Sequence, residues 1–324
     1  MRMLPALLLV ALAALTPVSD TIAPVQLPET DNPSNREALA VVHNRALRIV
    51  PFRADRYLVL YPSRKDEVSG AMMRGEGLMP YVITAAAALP REAREGNSLG
   101  QLLDAALLDE KTFAASATLP VTGNQGGIIF YDFGPDFEPN AARTIRLRGC
   151  VGAVAPGPWS SVVALTDGGI TVLTRDGLVL GEFLKDAIGG GCADNRLTRV
   201  SRNQYAVYDA AKQQVIVFRL EVPQQQGKAG GPDWRDADYG TAPIAKVSIE
   251  KTLDVSAGGG EPVKSLHVDA KGNVFLVRGG DTVVRFDDNG AQSWRAQRDW
   301  AAVHWDGDTL VALTRNAHWQ RLKF

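Results

Sequence analysis

Two histidines occupy matching positions in neighbouring segments of this chain. His267 lies in the sequence L-H-V-D and His304 in V-H-W-D. Two imidazoles that converge from adjacent strands could bind a metal ion. A structural metal site normally needs four ligands and a catalytic one about three, and only His43 and His318 remain in the sequence. We therefore predict no metal and a packing role for His267 and His304, which are the candidate ligands if a metal does bind.

Acidic residues that could act in pairs occur in segments rich in turn-forming residues. Glycosidases place two carboxylates on either side of the bond that they hydrolyse. The candidates of this kind are Asp186, Asp194, Asp254 and Glu261. Loop carboxylates are commonly just solvated, and the chain lacks the G-x-S-x-G sequence of many serine hydrolases. We assign no catalytic residue, and the balance favours a protein that is not an enzyme.

Two glycine triplets, at 189–191 and 258–260, could belong to phosphate-binding loops. Neither continues into the lysine and hydroxyl residue that such a loop requires, and neither opens a βαβ unit. With 36 acidic and 35 basic residues, the net charge of −1 gives no electrostatic reason to expect a nucleic acid. We predict no cofactor and no nucleic-acid partner.

The first residues are typical of an export signal. Arg2 precedes an unbroken apolar run over 4–15, and a polar, helix-breaking stretch follows at 16–21. A membrane span takes about 20 apolar residues, so we interpret residues 1–23 as a cleaved secretory signal. The alanine and arginine usage is typical of a bacterium. Cleavage after Ser19 or after Ala23 would each fit, and Pro24 counts against the second; we use residue 24 as the start of the mature protein. We predict that the mature protein does not span a membrane and is periplasmic or secreted.

Cys150 and Cys192 are the two cysteines of the chain. In an oxidising compartment an even number of cysteines favours a disulfide, and the alternative is two buried free thiols. The repeat described next brings both residues to one rim of the fold. We therefore predict a disulfide between them.

A repeated pattern of four short strands is the clearest structural signal. Residues 262–297 divide into strands A to D, with the sequences PVKSLHV, NVFLVR, DTVVRFD and AQSWRAQ. Alternation of period two, with an N-G or D-G turn between strands, predicts consecutive hairpins. Residues 150–183 repeat the pattern and end in GITVLTRDGLVLGEF. Such units are typical of a β-propeller, whose blades run from an innermost strand A to an outermost strand D.

Three further units complete this prediction. One combines 195–200, 204–208, 213–220 and 244–250, and the last has strands at 300–305, 309–314 and 317–324. The first combines 45–50 and 56–61 with 127–133 and 142–147, on either side of an insertion at 63–124. We predict an all-β propeller of five four-stranded blades, or of six if 65–124 contains strands.

The last unit has one strand fewer than the others. An open outer edge would invite aggregation, so we expect the missing strand D to come from within residues 24–42. The N-terminal segment would then close the ring.

The stretch HVDAKGNVFLVRGGDTVVRFDDNG, residues 267–290, resembles a repeat of the NHL or the related quinoprotein-type propellers. Its matching residues serve turns and packing, so the resemblance implies a propeller blade and no particular chemistry. Quinoprotein dehydrogenases use a vicinal cysteine pair under the cofactor. Cys150 and Cys192 are far apart in sequence, so that activity is not supported.

The insertion at 63–124 carries a helix pattern. Ser98 and Gln101 have the spacing of a capping box, and apolar residues then recur at helical spacing. The apolar face of this helix would be formed by Leu99, Leu102, Leu103 and Leu107. We expect it to pack on the rim as a lid or to dock a partner. A second segment, 223–243, is rich in Gln, Gly, Pro and Asp and is predicted to be a flexible surface loop.

Four tryptophans, Trp294, Trp300, Trp305 and Trp319, fall in the last two units. We interpret most of them as packing between blades, with a sugar-binding platform as the alternative. The B–C and D–A connections of a propeller share one face. We therefore expect the insertion, the glycine triplets and both cysteines on that face, which is the candidate functional surface.

Two functions follow from these observations. The first is an exported, non-catalytic propeller that binds a protein partner in the cell envelope or serves as an assembly scaffold. The alternative is a hydrolase or lyase that acts on a glycan or small metabolite in the central funnel. A fold hosts many functions, so the fold alone does not choose between them.

Overall fold

The computed structural model describes residues 24–26, 48–51, 56–64, 67–74, 81–84, 101–119, 125–133, 139–189, 191–224, 234–240, 243–297, 299–315 and 319–324. These residues form 25 β-strands and two short 3-10 turns, at Pro158–Ser160 and Ser256–Gly258. The described part of the chain contains no helix long and apolar enough to cross a membrane.

The strands form six sheets, which we number as blades 1 to 6 from the second strand onward. Blade 1 consists of β2 (Arg48–Pro51), β3 (Arg56–Arg64), β4 (Glu67–Arg74) and β5 (Tyr81–Thr84). Blade 2 consists of β6 (Gln101–Leu107), β7 (Thr112–Leu119), β8 (Gln125–Phe133) and β9 (Pro139–Arg146), with β17 (Trp234–Asp236) as a fifth strand. Blade 3 consists of β10 (Val151–Pro156), β11 (Val162–Thr166), β12 (Gly169–Leu173) and β13 (Val179–Phe183).

The second half of the chain supplies the other three blades. Blade 4 consists of β14 (Arg196–Arg199), β15 (Gln204–Asp209), β16 (Gln214–Glu221) and β18 (Lys246–Asp254). Blade 5 consists of β19 (Val263–Val268), β20 (Val274–Arg278), β21 (Thr282–Asp287) and β22 (Gly290–Arg295). Blade 6 consists of β23 (Trp300–Asp306), β24 (Thr309–Thr314), β25 (Trp319–Lys323) and β1 (Val25–Gln26).

The innermost strands close a ring. Each of β2, β6, β10, β14, β19 and β23 contacts the innermost strand of the next blade, and β23 contacts β2. Six sheets arranged around one axis in this way, antiparallel apart from the added strand β17, make a β-propeller, so the predicted fold is confirmed. The sheets are held together by apolar clusters between neighbouring blades, in which strands are buried on both faces.

The N-terminal segment closes the last blade, as predicted. Val25 pairs with Lys323 and Gln26 with Leu322, in antiparallel register. This places β1 outside β25 as the fourth strand of blade 6. The edge of β25 is therefore covered at this position, which is the protection that the sequence required.

Where the structure describes the predicted helical insertion, it forms strands and the prediction is wrong. Residues 67–74, 81–84, 101–107 and 112–119 of that segment are strands, and the propeller has six sheets, five with four strands and one with five. The structure contains five four-stranded sheets, the number predicted, and one further sheet of five strands. The total of six is the number predicted for the case that 65–124 contains strands. The strands β8 and β9, assigned from the sequence to the first unit, belong to blade 2.

Part of the segment predicted as a flexible loop, 223–243, is a strand. β17 lies parallel to β9, and Arg146 forms an ion pair with Asp236. Further along, the backbone N–H of Arg148 donates to the Tyr239 hydroxyl over 2.9 Å, and the Arg148 guanidinium lies 4.1 Å from the centre of the Tyr239 ring. The segment thus covers the outer edge of blade 2.

The tryptophans of the last two units pack between blades 5 and 6, as most were expected to do. Trp300 is fully buried, Trp305 is 7% exposed, and Trp294 packs against the same cluster. The ring centres of Trp294 and Trp300 are 6.1 Å apart. A sugar platform formed by this set has no support in the arrangement of these three rings, because they are engaged in the core.

Candidate functional site

A central cavity of about 390 Å³ is lined by residues of the innermost strand of every blade. Most of the lining comes from the ends of these strands that lead into the A–B turns. Its charged and imidazole side chains are Asp104, Arg196, Arg199, His267, His304 and Asp306. A concave site with converging polar groups is the first place to look for ligand binding.

The two predicted histidines both line this cavity. The ring of His267 stacks on Trp305, with centres 4.9 Å apart, and its Nε2 lies 3.7 Å from Asp308 Oδ1. Burial lowers the pKa of His267. Burial, and to a smaller extent the proximity of His267, lowers the pKa of His304 to about 4. Both imidazoles are therefore neutral at pH 7.

Neutral imidazoles are the form that binds a metal, but two ligands fall short of a protein metal site. Among the residues that the structure describes, no group of three His, Cys, Asp or Glu side chains is placed to hold a metal ion. The stacking of His267 on Trp305 is the kind of contact expected from the predicted packing role.

Several charged groups of the cavity wall hold the inner strands in place. Asp104 Oδ2 accepts from the backbone N–H of Val154 in the next blade, over 3.2 Å. Arg196 donates to the carbonyls of its own strand start, at Ala193 and Asn195, over 2.7 and 2.6 Å. These contacts assign a structural role to Asp104 and Arg196, whichever ligand the cavity takes.

The neutral state of His304 predicts a pH dependence of stability. Because the folded pKa lies below that of the unfolded chain, the unfolded state binds more protons between pH 6.5 and 4, and acid destabilises the fold in this window. The loss attributable to His304 should approach about 3 kcal/mol at pH 4. Thermal melts of the wild type and of His304→Gln at pH 7.5 and 4.5 test this. The drop in Tm should be smaller for the variant, and an equal drop would contradict the assignment.

The predicted disulfide is present and joins blades 3 and 4. Cys150 and Cys192 are bonded, with Cα atoms 6.4 Å apart, at the starts of β10 and of the turn before β14. A Cβ at Gly152 would overlap the Cys192 carbonyl oxygen, so glycine permits this close approach. A disulfide is consistent with a location outside the cytoplasm.

The glycine triplets are structural connections, as expected. The backbone N–H of Gly189 donates to the buried Asp209 carboxylate over 2.8 Å. Around 258–260, the guanidinium of Arg278, which is 1% exposed, donates to the carbonyls of Val255, Gly259 and Glu261. The side chains of Asp209 in β15 and Arg278 in β20 therefore order these two D–A connections.

The acidic candidates do not converge. Asp186, Asp194 and Glu261 are exposed residues of the D–A connections, and Asp254 is the exposed last residue of β18. The central cavity is lined by other residues. The structure therefore brings no pair of them to the funnel.

The leucines predicted to form a helix face lie in a strand where the structure describes them. Leu103 and Leu107 are partly buried residues of β6, the innermost strand of blade 2, and Leu107 lines the central cavity. Leu102 lies in the same strand, and Leu99 lies outside the described residues. The predicted docking face at these leucines is wrong, because a strand does not gather side chains at helical spacing on one face.

A surface tryptophan that sequence reasoning missed stands in the A–B turn of blade 3. Trp159 is 52% exposed. Its backbone has φ 56° and ψ 39°, and Ser160 follows with φ 60°. Such left-handed conformations of non-glycine residues cost about 1–3 kcal/mol each and cluster at functional sites. The only local signal is the turn composition G-P-W-S-S.

Contacts within the turn and from blade 4 hold Trp159 in this conformation. The Ser161 hydroxyl donates to the Pro158 carbonyl over 2.6 Å. The indole N–H of Trp159 donates to the Val222 carbonyl over 3.0 Å, and the Arg202 guanidinium lies 5.4 Å from the ring centre. The edge of the indole is thus fixed while half of its surface faces solvent.

The indole separates two surface grooves between blades 3 and 4. The smaller, of about 170 Å³, is lined by Thr174, Arg175, Asp176 and Leu180 among others. The larger, of about 700 Å³, is lined by Pro158, Arg202, Asn203, Glu221, Val222, Pro223, Ile244 and Lys246. We call the larger one the Trp159 groove. It lies on the face of the A–B and C–D turns, opposite to the face that carries the disulfide.

A buried polar atom also belongs to the Trp159 groove. Asn203 Oδ1 is buried and has no hydrogen-bond partner among the described residues. Ile244, at the far side of the groove, is 39% exposed. An apolar wall, a half-exposed indole and an unused acceptor are features of a binding surface.

Comparison with known proteins gives the fold and no function. No protein-family model matches the chain, and no curated protein matches it. Virginiamycin B lyase from Staphylococcus aureus has a similar structure, with a TM-score of 0.50 at 8% identity over 93% of this chain and 99% of that one. This likeness supports the propeller fold. The chain is a β-propeller.

Two other solved propeller structures align less well. A putative oxidoreductase (glucose dehydrogenase) from Thermus thermophilus has a TM-score of 0.48 at 15% identity, over 86% of this chain and 96% of that one. BamB from Moraxella catarrhalis has a TM-score of 0.41 at 10% identity, over 93% of this chain and 100% of that one. At these values neither structure bears on the function of this chain.

Proposed function

We propose that this chain is an exported, non-catalytic propeller that binds a protein partner in the bacterial cell envelope through the Trp159 groove. The observation that carries the proposal is the indole of Trp159, half exposed on a backbone that only its surroundings stabilise. Large aromatic side chains dominate protein interfaces because they bury much apolar area with few rotatable bonds. A strained residue that presents such a group favours a binding role over a packing role.

The surroundings of the indole suit a protein segment. Pro158, Val222, Pro223 and Ile244 supply apolar area around the ring. Arg202, Glu221 and Lys246 form a charged rim. An apolar centre within a polar rim is the usual anatomy of a protein interface.

The proposal is tested by comparing Trp159→Ala with the wild type as bait in a native envelope extract. Lys271→Ala, an exposed turn residue of blade 5, is the matched control. We expect a protein that wild type and Lys271→Ala retain and Trp159→Ala loses. That protein, once purified, should bind Trp159→Ala at least about tenfold more weakly than wild type, as expected for an interface hot spot. Equal binding of the two baits would contradict the proposal.

A hydrolase or lyase acting in the central cavity is the second candidate. The observation in its favour is the pair of neutral imidazoles, His267 and His304, on the wall of a cavity of about 390 Å³. An imidazole that is neutral at pH 7 can accept a proton, although a pKa near 4 makes His304 a weak base. This candidate predicts that glycans or small metabolites bound in the cavity are turned over by the wild type and not by His267→Gln. Binding without turnover would exclude it.

A further inference from the structure

The outer strand of blade 4, β18, is the exposed edge of its sheet. It pairs with β16 on its inner side and has no strand partner on its outer side among the described residues. Most of its residues are exposed, and Ile249 is 50% exposed. A long exposed edge with an apolar side chain is a template for pairing with another chain.

The outer strands of blades 2 and 3, unlike β18, are covered by another segment of the chain. β17 covers the outer strand of blade 2. Residues after β17 cover the outer strand of blade 3: the N–H of Val179 donates to the Asp238 carbonyl over 2.7 Å, and that of Ile244 to the Leu180 carbonyl over 2.7 Å. The segment then enters β18 and leaves its edge uncovered. Backbone hydrogen bonds from this segment thus cover two blade edges, one of them through an added strand.

The first five residues of β18 divide cleanly between the two sides of the sheet. Val247 and Ile249 pair with Leu220 and Phe218, which belong to the apolar cluster between blades 3 and 4. Lys246, Ser248 and Glu250 lie on the opposite side, where Glu250 accepts hydrogen bonds from Arg219 and Gln204 over 2.7 and 2.6 Å. The register shifts after Ile249, so this alternation does not continue past Glu250.

This five-residue stretch is complementary to itself in antiparallel register. If Ser248 lies opposite Ser248 of a second copy, Lys246 lies opposite Glu250 and Val247 lies opposite Ile249, each twice. Every opposed pair then falls on one side of the sheet, as antiparallel pairing demands. Opposite charges and paired β-branched residues directly across strands each stabilise a sheet.

The acidic member of the charge pair is already ordered. Hydrogen bonds from Gln204 and Arg219 lower the pKa of Glu250 and fix its carboxylate. Less side-chain entropy is then lost when a lysine from a second copy approaches. A register shifted by two residues places Lys246 opposite Ser248 or Thr252 and loses both ion pairs, so the charges favour the register centred on Ser248.

We propose that two copies of this chain associate through their β18 strands, antiparallel and centred on Ser248, to form one continuous eight-stranded sheet from two blades 4. The interface is two-fold symmetric, as most homodimer interfaces are. It uses the outer edge of blade 4 and leaves Trp159 outside the strand pairing. Lys246 also lines the Trp159 groove, so the two sites are distinguished by Trp159→Ala and Ser248→Cys and not by Lys246→Glu.

The proposal is tested by cysteine cross-linking in the full mature chain, whose two native cysteines are joined in the disulfide. Ser248→Cys places one thiol opposite its copy at the symmetry axis and should give a covalent dimer under mild oxidation, seen on a non-reducing gel. Thr252→Cys, an exposed residue of the same strand beyond the register shift, is the control and should give no covalent dimer. Equal cross-linking of both variants, or none for Ser248→Cys, would overturn the proposal.

A second test of the dimer exchanges the charges of Lys246 and Glu250. Lys246→Glu and Glu250→Lys should each abolish the dimer in sedimentation velocity, because each brings two like-charged pairs together. The double variant restores both pairs and should restore the dimer. A wild type that stays monomeric at its highest soluble concentration, or a double variant that is as monomeric as the single ones, would contradict the arrangement. Trp159→Ala should dimerise like the wild type, so failure here is distinguishable from failure of the proposed partner site.

Discussion

Replacing Cys150 and Cys192 by serine should lower the free energy of unfolding by about 4 kcal/mol, from the loop-closure entropy that a crosslink spanning 42 residues removes from the unfolded chain. The bond joins the starts of neighbouring inner strands, so it also fixes blade 3 against blade 4. Denaturant titrations of the oxidised wild type and of the double serine variant measure the difference.

Two controls separate the bond from the cysteine side chains. Wild-type protein treated with a reductant should unfold at the same denaturant concentration as the double variant. Alkylation under denaturing, non-reducing conditions should leave the mass of the wild type unchanged. Two added alkyl groups, or identical unfolding midpoints for oxidised and reduced protein, would refute the structural role of the bond.

Replacing Trp300 by alanine should cost about 3–5 kcal/mol, the range for removing a large aromatic side chain from a packed core. Trp300 is fully buried between blades 5 and 6, and its indole N–H donates to Gln320 Oε1 over 2.8 Å. The substitution leaves a cavity between the blades and an amide oxygen without its donor.

Trp159→Ala is the matched control for Trp300→Ala, because the same side chain is removed from a half-exposed position. The expected cost there is about 1 kcal/mol, since half of the indole already faces solvent and its removal leaves no cavity in a packed core. Denaturant titrations of both variants decide the point. Equal costs at the two positions would contradict the burial that the structure assigns to Trp300.

The propeller could be predicted from sequence because its signals are local. The hairpin turns of residues 262–297 fix the strand order of blade 5 by their composition alone. The closing strand was predictable by a different argument, since an unfilled outer position in the last blade has to be covered.

The segment around Leu103 was misread because burial removed the pattern that distinguishes strands from helices. An innermost propeller strand is packed on both faces, so it shows a run of apolar residues and no alternation. Ala105 and Ala106 in β6 and Ala114 and Ala115 in β7 are good helix formers, yet here small side chains allow strands to pack closely near the axis. Tertiary packing has overridden local propensity.

Of the candidate site residues, only those with a local sequence signal could be predicted. His267 and His304 could be placed on the central cavity from their equal register in two repeats. Trp159 could not be found in this way, because its exposure depends on Val222 and Arg202, which lie more than 40 residues away in the next blade. A turn of glycine, proline and serine predicts a bend and not what a neighbouring blade does with its tryptophan.

Hydrogen–deuterium exchange with the bound partner tests the central claim most directly, because it reports where on the propeller the partner binds. We predict protection at 157–161, 202–203, 221–223 and 244–246, which surround the Trp159 groove, with the inner strands unchanged. Protection confined to the inner strands around His267 and His304 would place the ligand in the central cavity and contradict the proposed scaffold function.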